Sequence, residues 1–79
     1  MTVLGRQITT KWQDALAMVA ECKAGKPEMA GQNVLVIPFK DPAGQEFALM
    51  LRSVPTPGVN GNILVLNGAF EINAHEVGA

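Results

Sequence analysis

The chain has 79 residues, and a domain of this length buries only about 60% of the surface that its unfolded chain exposes. Its composition, 48% hydrophobic and 16% charged, lacks the low hydrophobicity and high charge of disordered chains and predicts one folded domain over residues 1–79. Six basic and seven acidic side chains give a formal net charge of -1 without a basic cluster, which disfavours nucleic-acid binding because such binding depends on neutralising phosphates.

The single cysteine, Cys22, bears on the compartment. It cannot form an internal disulfide, whereas small secreted domains usually depend on several. The first residues lack the order of basic and then apolar residues that a signal peptide has, and no apolar run approaches the roughly 18 residues of a membrane span. We therefore expect a soluble cytoplasmic protein that does not bind membranes.

The first part of the chain predicts a helix. Residues 2–8 fit either a short strand or an extended arm. Thr10, with Gln13 three residues later, matches a capping box, so the helix should run over 11–24 and end before Gly25. Apolar residues recur at helical spacing and predict one buried stripe, namely Trp12, Ala15, Leu16, Val19 and Ala20.

The middle of the chain predicts a hairpin. Residues 33–39 are apolar on both faces, as in a strand that is covered on two sides. Asp41, Pro42 and Gly44 fit a type I turn, and the alternating residues 47–52 form the returning strand. Because Pro38 lacks an amide donor, the first strand should lie at an edge or end at Ile37.

The last part predicts a second hairpin. Residues 54–61 are rich in proline and glycine and should form a loop. Asn67 and Gly68 favour a type I′ turn between strands at 62–66 and 69–75. The predicted fold class is therefore α+β, with an N-terminal amphipathic helix packed on a four-stranded antiparallel meander of two consecutive hairpins.

Residues with catalytic or metal-binding chemistry are sparse. One histidine, His75, and one cysteine cannot supply a zinc site, and Ser53 lacks the glycine-flanked elbow of a nucleophilic serine. We expect no catalytic residue, no metal and no cofactor, and the sequence favours a protein that is not an enzyme.

Three functional hypotheses remain. The first is a small interaction module, a homodimer or the partner of another protein, that closes an apolar sheet face whose members are Val34, Val36, Met50, Leu64 and Leu66. The second is a domain that binds a small molecule, for example an anionic one, or an enzyme. Its pocket would lie near Arg52 and the 54–61 loop and be lined by Arg52, Met50, Val59 and Asn60. The third is a structural or regulatory subunit of a phage or mobile element, which only the small size and the lack of chemistry recommend.

Overall fold

The structure, a computed structural model, describes residues 4–58 and 61–72. Within them the chain forms six strands and one helix. In chain order they are β1 (Leu4–Thr9), α1 (Trp12–Val19), β2 (Lys23–Ala24), β3 (Glu28–Gly31), β4 (Val34–Lys40), β5 (Glu46–Pro55) and β6 (Asn62–Ile72).

The strands of the described residues form one antiparallel sheet in the order β1, β6, β5, β4 and β2, with β3 also paired to β4. The predicted fold class is therefore wrong: the molecule is mostly sheet, and its one helix is short. The sequence left residues 2–8 open between strand and arm; within the described residues, Leu4–Thr9 form β1, which pairs with β6.

The hairpin of β4 and β5 is confirmed. Seven consecutive pairs join the two strands without irregularity, from Val34 opposite Arg52 to Lys40 opposite Glu46. In the turn, the amide of Gly44 donates to the carbonyl of Asp41 at 3.0 Å, and the amide of Gln45 donates to the Asp41 carboxylate at 2.8 Å. Gly44 has φ 91°, a left-handed conformation that glycine adopts without strain.

The predicted helix over 11–24 is too long, because the residues after Val19 pair with the sheet. Lys23 and Ala24 form β2 on the outer edge of β4, and the amide of Gly25 donates to the carbonyl of Pro38 at 2.8 Å. Pairing with β4 satisfies backbone groups that a longer helix would have used internally, so tertiary contacts override local propensity.

Pro38 lies inside β4, which is not an edge strand. In an antiparallel strand the amide and carbonyl of one residue point to the same neighbour, so the missing donor of Pro38 faces the outer edge. There β2 and β3 are separate strands, and residues 25–27 lie between them. The proline is accommodated because its neighbour on that side is interrupted.

The predicted capping box does not form. The residue at the cap position is Lys11, and no side chain caps the helix. Instead, the amide of Lys11 donates to the hydroxyl of Thr9 at 3.2 Å. The end of β1 therefore leads directly into α1, and the chain reaches the helix two residues after leaving the sheet.

The predicted hairpin at Asn67 and Gly68 is also wrong, because β6 continues through both residues. Met50 lies opposite Gly68 and Leu51 lies opposite Leu66, so Asn67 is the extra residue of a β-bulge. Its side-chain amide donates to the Met50 sulfur at 3.1 Å. A bulge exchanges the faces on which the following side chains lie, since side chains alternate along a strand.

The pairing defines two sides of the sheet. Residues opposite one another share a side, so the row of Ile37, Leu49 and Ala69 lies on the side that α1 packs against, which we name the helix side. The other side, which we name the open side, carries the row of Pro38, Ala48 and Phe70.

The core lies between α1 and the helix side. Its buried members are Ala15, Leu49, Leu51, Leu66 and Ala69, with Met18, Val19, Ile37 and Phe39 packed against them. Two small residues, Ala15 and Ala69, are fully buried. The bulge turns Ala69 to the helix and leaves Phe70 on the open side.

Replacing Leu49 by alanine should lower the free energy of unfolding by about 2–5 kcal/mol, because it leaves a cavity in the centre of this core. Ile63→Ala is the control, since Ile63 is 53% exposed on the open side and should cost less than about 1 kcal/mol. Urea unfolding followed by circular dichroism measures both. Equal losses for the two variants would contradict the placement of the core.

Candidate functional site

The most exposed large apolar side chains lie mainly on the helix side. On α1, Trp12 is 41% and Leu16 is 55% exposed. On the sheet, Leu64 is 54% exposed opposite Ser53, and Met29 is 68% exposed opposite Leu35. We name these four side chains, Trp12, Leu16, Met29 and Leu64, the apolar margin. The helix has eight residues and covers the central rows of the sheet, so these outer positions stay uncovered.

The predicted stripe of the helix is buried only in part. Ala15 is fully buried, and Val19 packs against the core. Trp12 and Leu16 stay largely in solvent. A large apolar side chain that remains exposed beside a core can contact a partner, which is the property that singles out this surface.

The predicted interface is divided between the two sides of the sheet. Val34, Val36 and Met50 lie on the open side, where Val36 is buried and the other two are half-buried. Leu66 is buried in the core of the helix side. Leu64 lies on that same side, because the bulge shifts the register of β6. The structure therefore does not bring the five predicted residues together.

The predicted ligand site is described in part. Arg52 is exposed on the open side, between Val34 and Val65, and half-buried Met50 lies two residues before it on the same side. Val59 and Asn60 lie outside the described residues. Where the loop leaves the sheet, the side-chain amide of Asn62 donates to the Ser53 hydroxyl at 2.8 Å, and the buried hydroxyl of Thr56 has no hydrogen-bond partner.

Two clefts of about 300 Å³ each lie at the opposite end of β4 from Arg52. Lys23 and Lys40 line both of them, because β2 and β4 place these two residues directly opposite each other. Carboxylates surround the pair: Glu21 and Asp41 line the first cleft, and Glu46 lines the second. Together the two clefts are lined by five charged side chains.

Cys22 lies beside the first cleft and is half-buried. Its thiol donates to the carbonyl of Met18 at 3.5 Å. Desolvation by the surrounding protein, together with the negative charges of Asp41 and Glu21, raises the pKa of the Cys22 thiol above its ordinary value. A raised pKa reduces the thiolate fraction at neutral pH, so this cysteine is a poor nucleophile.

In residues 4–58 and 61–72, no group of three or more histidine, cysteine, aspartate or glutamate side chains is arranged to hold a metal ion. His75, the one histidine of the sequence, lies outside these residues. Nor does that part of the chain contain a helix with the length and apolar character needed to cross a membrane.

Comparisons of the chain with protein-family models, with curated proteins and with solved structures find no match.

Sequence reasoning missed both surfaces. The lysine pair depends on Lys23 lying in a strand, whereas the sequence pattern placed it in a helix. The apolar margin depends on the residue at which α1 ends. The sequence indicates that end only weakly, because residues 20–24 are compatible with a helix. One signal for the bulge was Gly68, since a glycine inside a strand often marks a bulge or a close backbone approach.

The Cys22 thiol should react with a disulfide reagent at pH 8 more slowly in the folded protein than in the same chain unfolded in urea. The reason is the raised pKa, which requires a higher pH before the folded thiol ionises. Absorbance of the released thiolate measures the rate across pH 7–10. A folded rate equal to the unfolded rate at every pH would contradict the assignment.

Proposed function

We propose that this protein is a small interaction module that associates with a second copy of itself through the apolar margin of the helix side. The observation that carries the proposal is the exposure of large apolar side chains from separate elements on one side of the sheet, Leu16 from α1 and Leu64 from β6. Monomeric proteins rarely leave extended apolar patches in water, and such patches commonly mark contact surfaces.

The topology supports a continuous surface. Four antiparallel steps separate β1 from β2, so these two strands are parallel and α1 is a crossover between them. Nearly all such crossovers are right-handed. With Ala15 facing the sheet, Leu16 lies about 100° further round the helix. In a right-handed crossover that direction points towards the end of the sheet where Leu64 lies.

A second copy suits this surface for three reasons. The four side chains of the margin carry no charge, so the surface can face itself without bringing like charges together. The formal net charge of -1 gives little repulsion between copies. A two-fold dimer typically buries about 800 Å² per partner, which is about a seventh of the 5516 Å² that the chain exposes.

The open side supports association less well. Its central residues Val36 and Ala48 are already buried within the single chain. Phe70 covers the backbone of Gly68, where an added Cβ would come within 2.8 Å of the ring.

For the cellular compartment, the single free cysteine favours the reducing cytoplasm.

Sedimentation velocity at micromolar concentration tests the proposal, and we expect a species of twice the 8.4 kDa chain mass. Leu64→Asp should weaken the dimer at least about tenfold in Kd, because it introduces a charge at an apolar contact. A wild-type protein that is monomeric at this concentration would overturn the proposal.

Ile63→Asp is the matched control. Ile63 and Leu64 are consecutive in β6 and are 53% and 54% exposed, yet they lie on opposite sides of the sheet. We expect Ile63→Asp to leave the dimer intact. If instead Ile63→Asp dissociates it and Leu64→Asp does not, the interface belongs to the open side. Circular dichroism of both variants establishes that each is folded.

A further inference from the structure

We propose that Lys23 and Lys40 form a binding site for a small organic anion, a carboxylate or phosphate on a compact apolar body, in the second of the two clefts that both residues line. The site is separate from the apolar margin, and different observations support it. The chain has six basic side chains in all, and its fold places two of them in direct opposition.

The opposition of the two lysines is the first observation. Side chains directly opposite each other on antiparallel strands have Cβ atoms about 4.5–5.5 Å apart, and like charges at that separation destabilise the pair. Glu46, paired with Lys40 on β5, and the carboxylates Glu21 and Asp41 of the first cleft offset this repulsion. An anion held between the two ammonium groups can accept a charge-assisted hydrogen bond from each of them.

The cleft itself is the second observation. It measures about 300 Å³, and beside the charged groups it is lined by Ala24, Gly25, Pro38 and Phe39. Gly25 lies so close to Pro38 that an added Cβ would be 3.0 Å from the proline ring. The cleft therefore combines an apolar wall with two cations at one end, the arrangement that fixes the orientation of a small anionic ligand.

The charged residues that line the two clefts indicate which cleft binds the anion. The first cleft contains both lysines together with Glu21 and Asp41, so its formal charges cancel. Its two carboxylates would also repel an anion. The second cleft contains the same lysines with Glu46 as its carboxylate. With one carboxylate among its lining residues instead of two, it is the cleft that we assign to the ligand.

Amide chemical shifts measured by NMR at constant ionic strength test the site. The probes are benzoate and phenyl phosphate, which share an apolar ring and differ in the anion, and benzyl alcohol, which has the ring without a charge. We expect saturable shifts at Lys23, Gly25 and Lys40 with at least one of the two anions and none with benzyl alcohol. The anion that binds with the lower Kd identifies the ligand class, carboxylate or phosphate.

Lys23→Ala and Lys40→Ala should each weaken binding about tenfold or more, because each removes one charge-assisted hydrogen bond. Lys26→Ala is the matched control, since Lys26 carries the same charge on the same edge and does not line either cleft. We expect it to bind like the wild type. Equal weakening by all three variants would mean non-specific attraction and would overturn the proposal, as would the absence of saturable shifts with both anions.

A charge reversal separates binding from folding. Lys23→Glu makes the pair with Lys40 attractive and adds a carboxylate near Glu21 and Asp41, so we expect this variant to stay folded and to lose anion binding. Glu46→Gln should have the opposite effect on the ligand and tighten binding, because it removes the carboxylate from the cleft. A Lys23→Glu variant that is folded and binds as tightly as the wild type would also overturn the proposal.

Discussion

The bulge at Asn67 is the constraint on which the arrangement of the helix side depends. One extra residue in β6 directs Leu66 and Ala69 to the same side, although a regular strand would place them on opposite sides. Ala69 then provides the flat surface that α1 approaches through Ala15. Without the extra residue, Phe70 would face the helix, and the two elements could not pack as closely.

The shortness of α1 has two opposite effects on the surface. Eight residues suffice to cover the central rows of the sheet, where the buried leucines lie. These eight residues do not reach the margin of the sheet, so Leu64 remains partly in water. Trp12 and Leu16 on the helix itself are also partly in water. The same early end of the helix frees Lys23 to pair with β4, and so creates the clefts. Both proposed surfaces therefore follow from the point at which the helix ends.

The sequence predicted those parts of the fold that local chemistry decides. The β4 and β5 hairpin was predictable because its turn residues, Asp41 and Gly44, supply the hydrogen bonds and the left-handed conformation that the reversal needs. The extent of α1 was not, because backbone pairing with β4 competes with helix formation after Val19 and depends on a strand that comes later in the chain. The five residues of the candidate interface lie on two sides for a related reason: one bulged residue places Leu64 and Leu66 on the helix side, and an alternation with a period of two cannot reveal it.

The pairing of β1 with β6 joins positions that are far apart in the sequence, with Leu4 opposite Ile72. Closing so long a loop costs little equilibrium stability, since the entropy loss grows only with the logarithm of loop length. It bears more on folding rate, because contacts of high sequence separation slow the search for the native topology. Until β1 docks, the outer backbone groups of β6 are open to pairing with another chain. The first strand therefore protects the nascent sheet against misassembly.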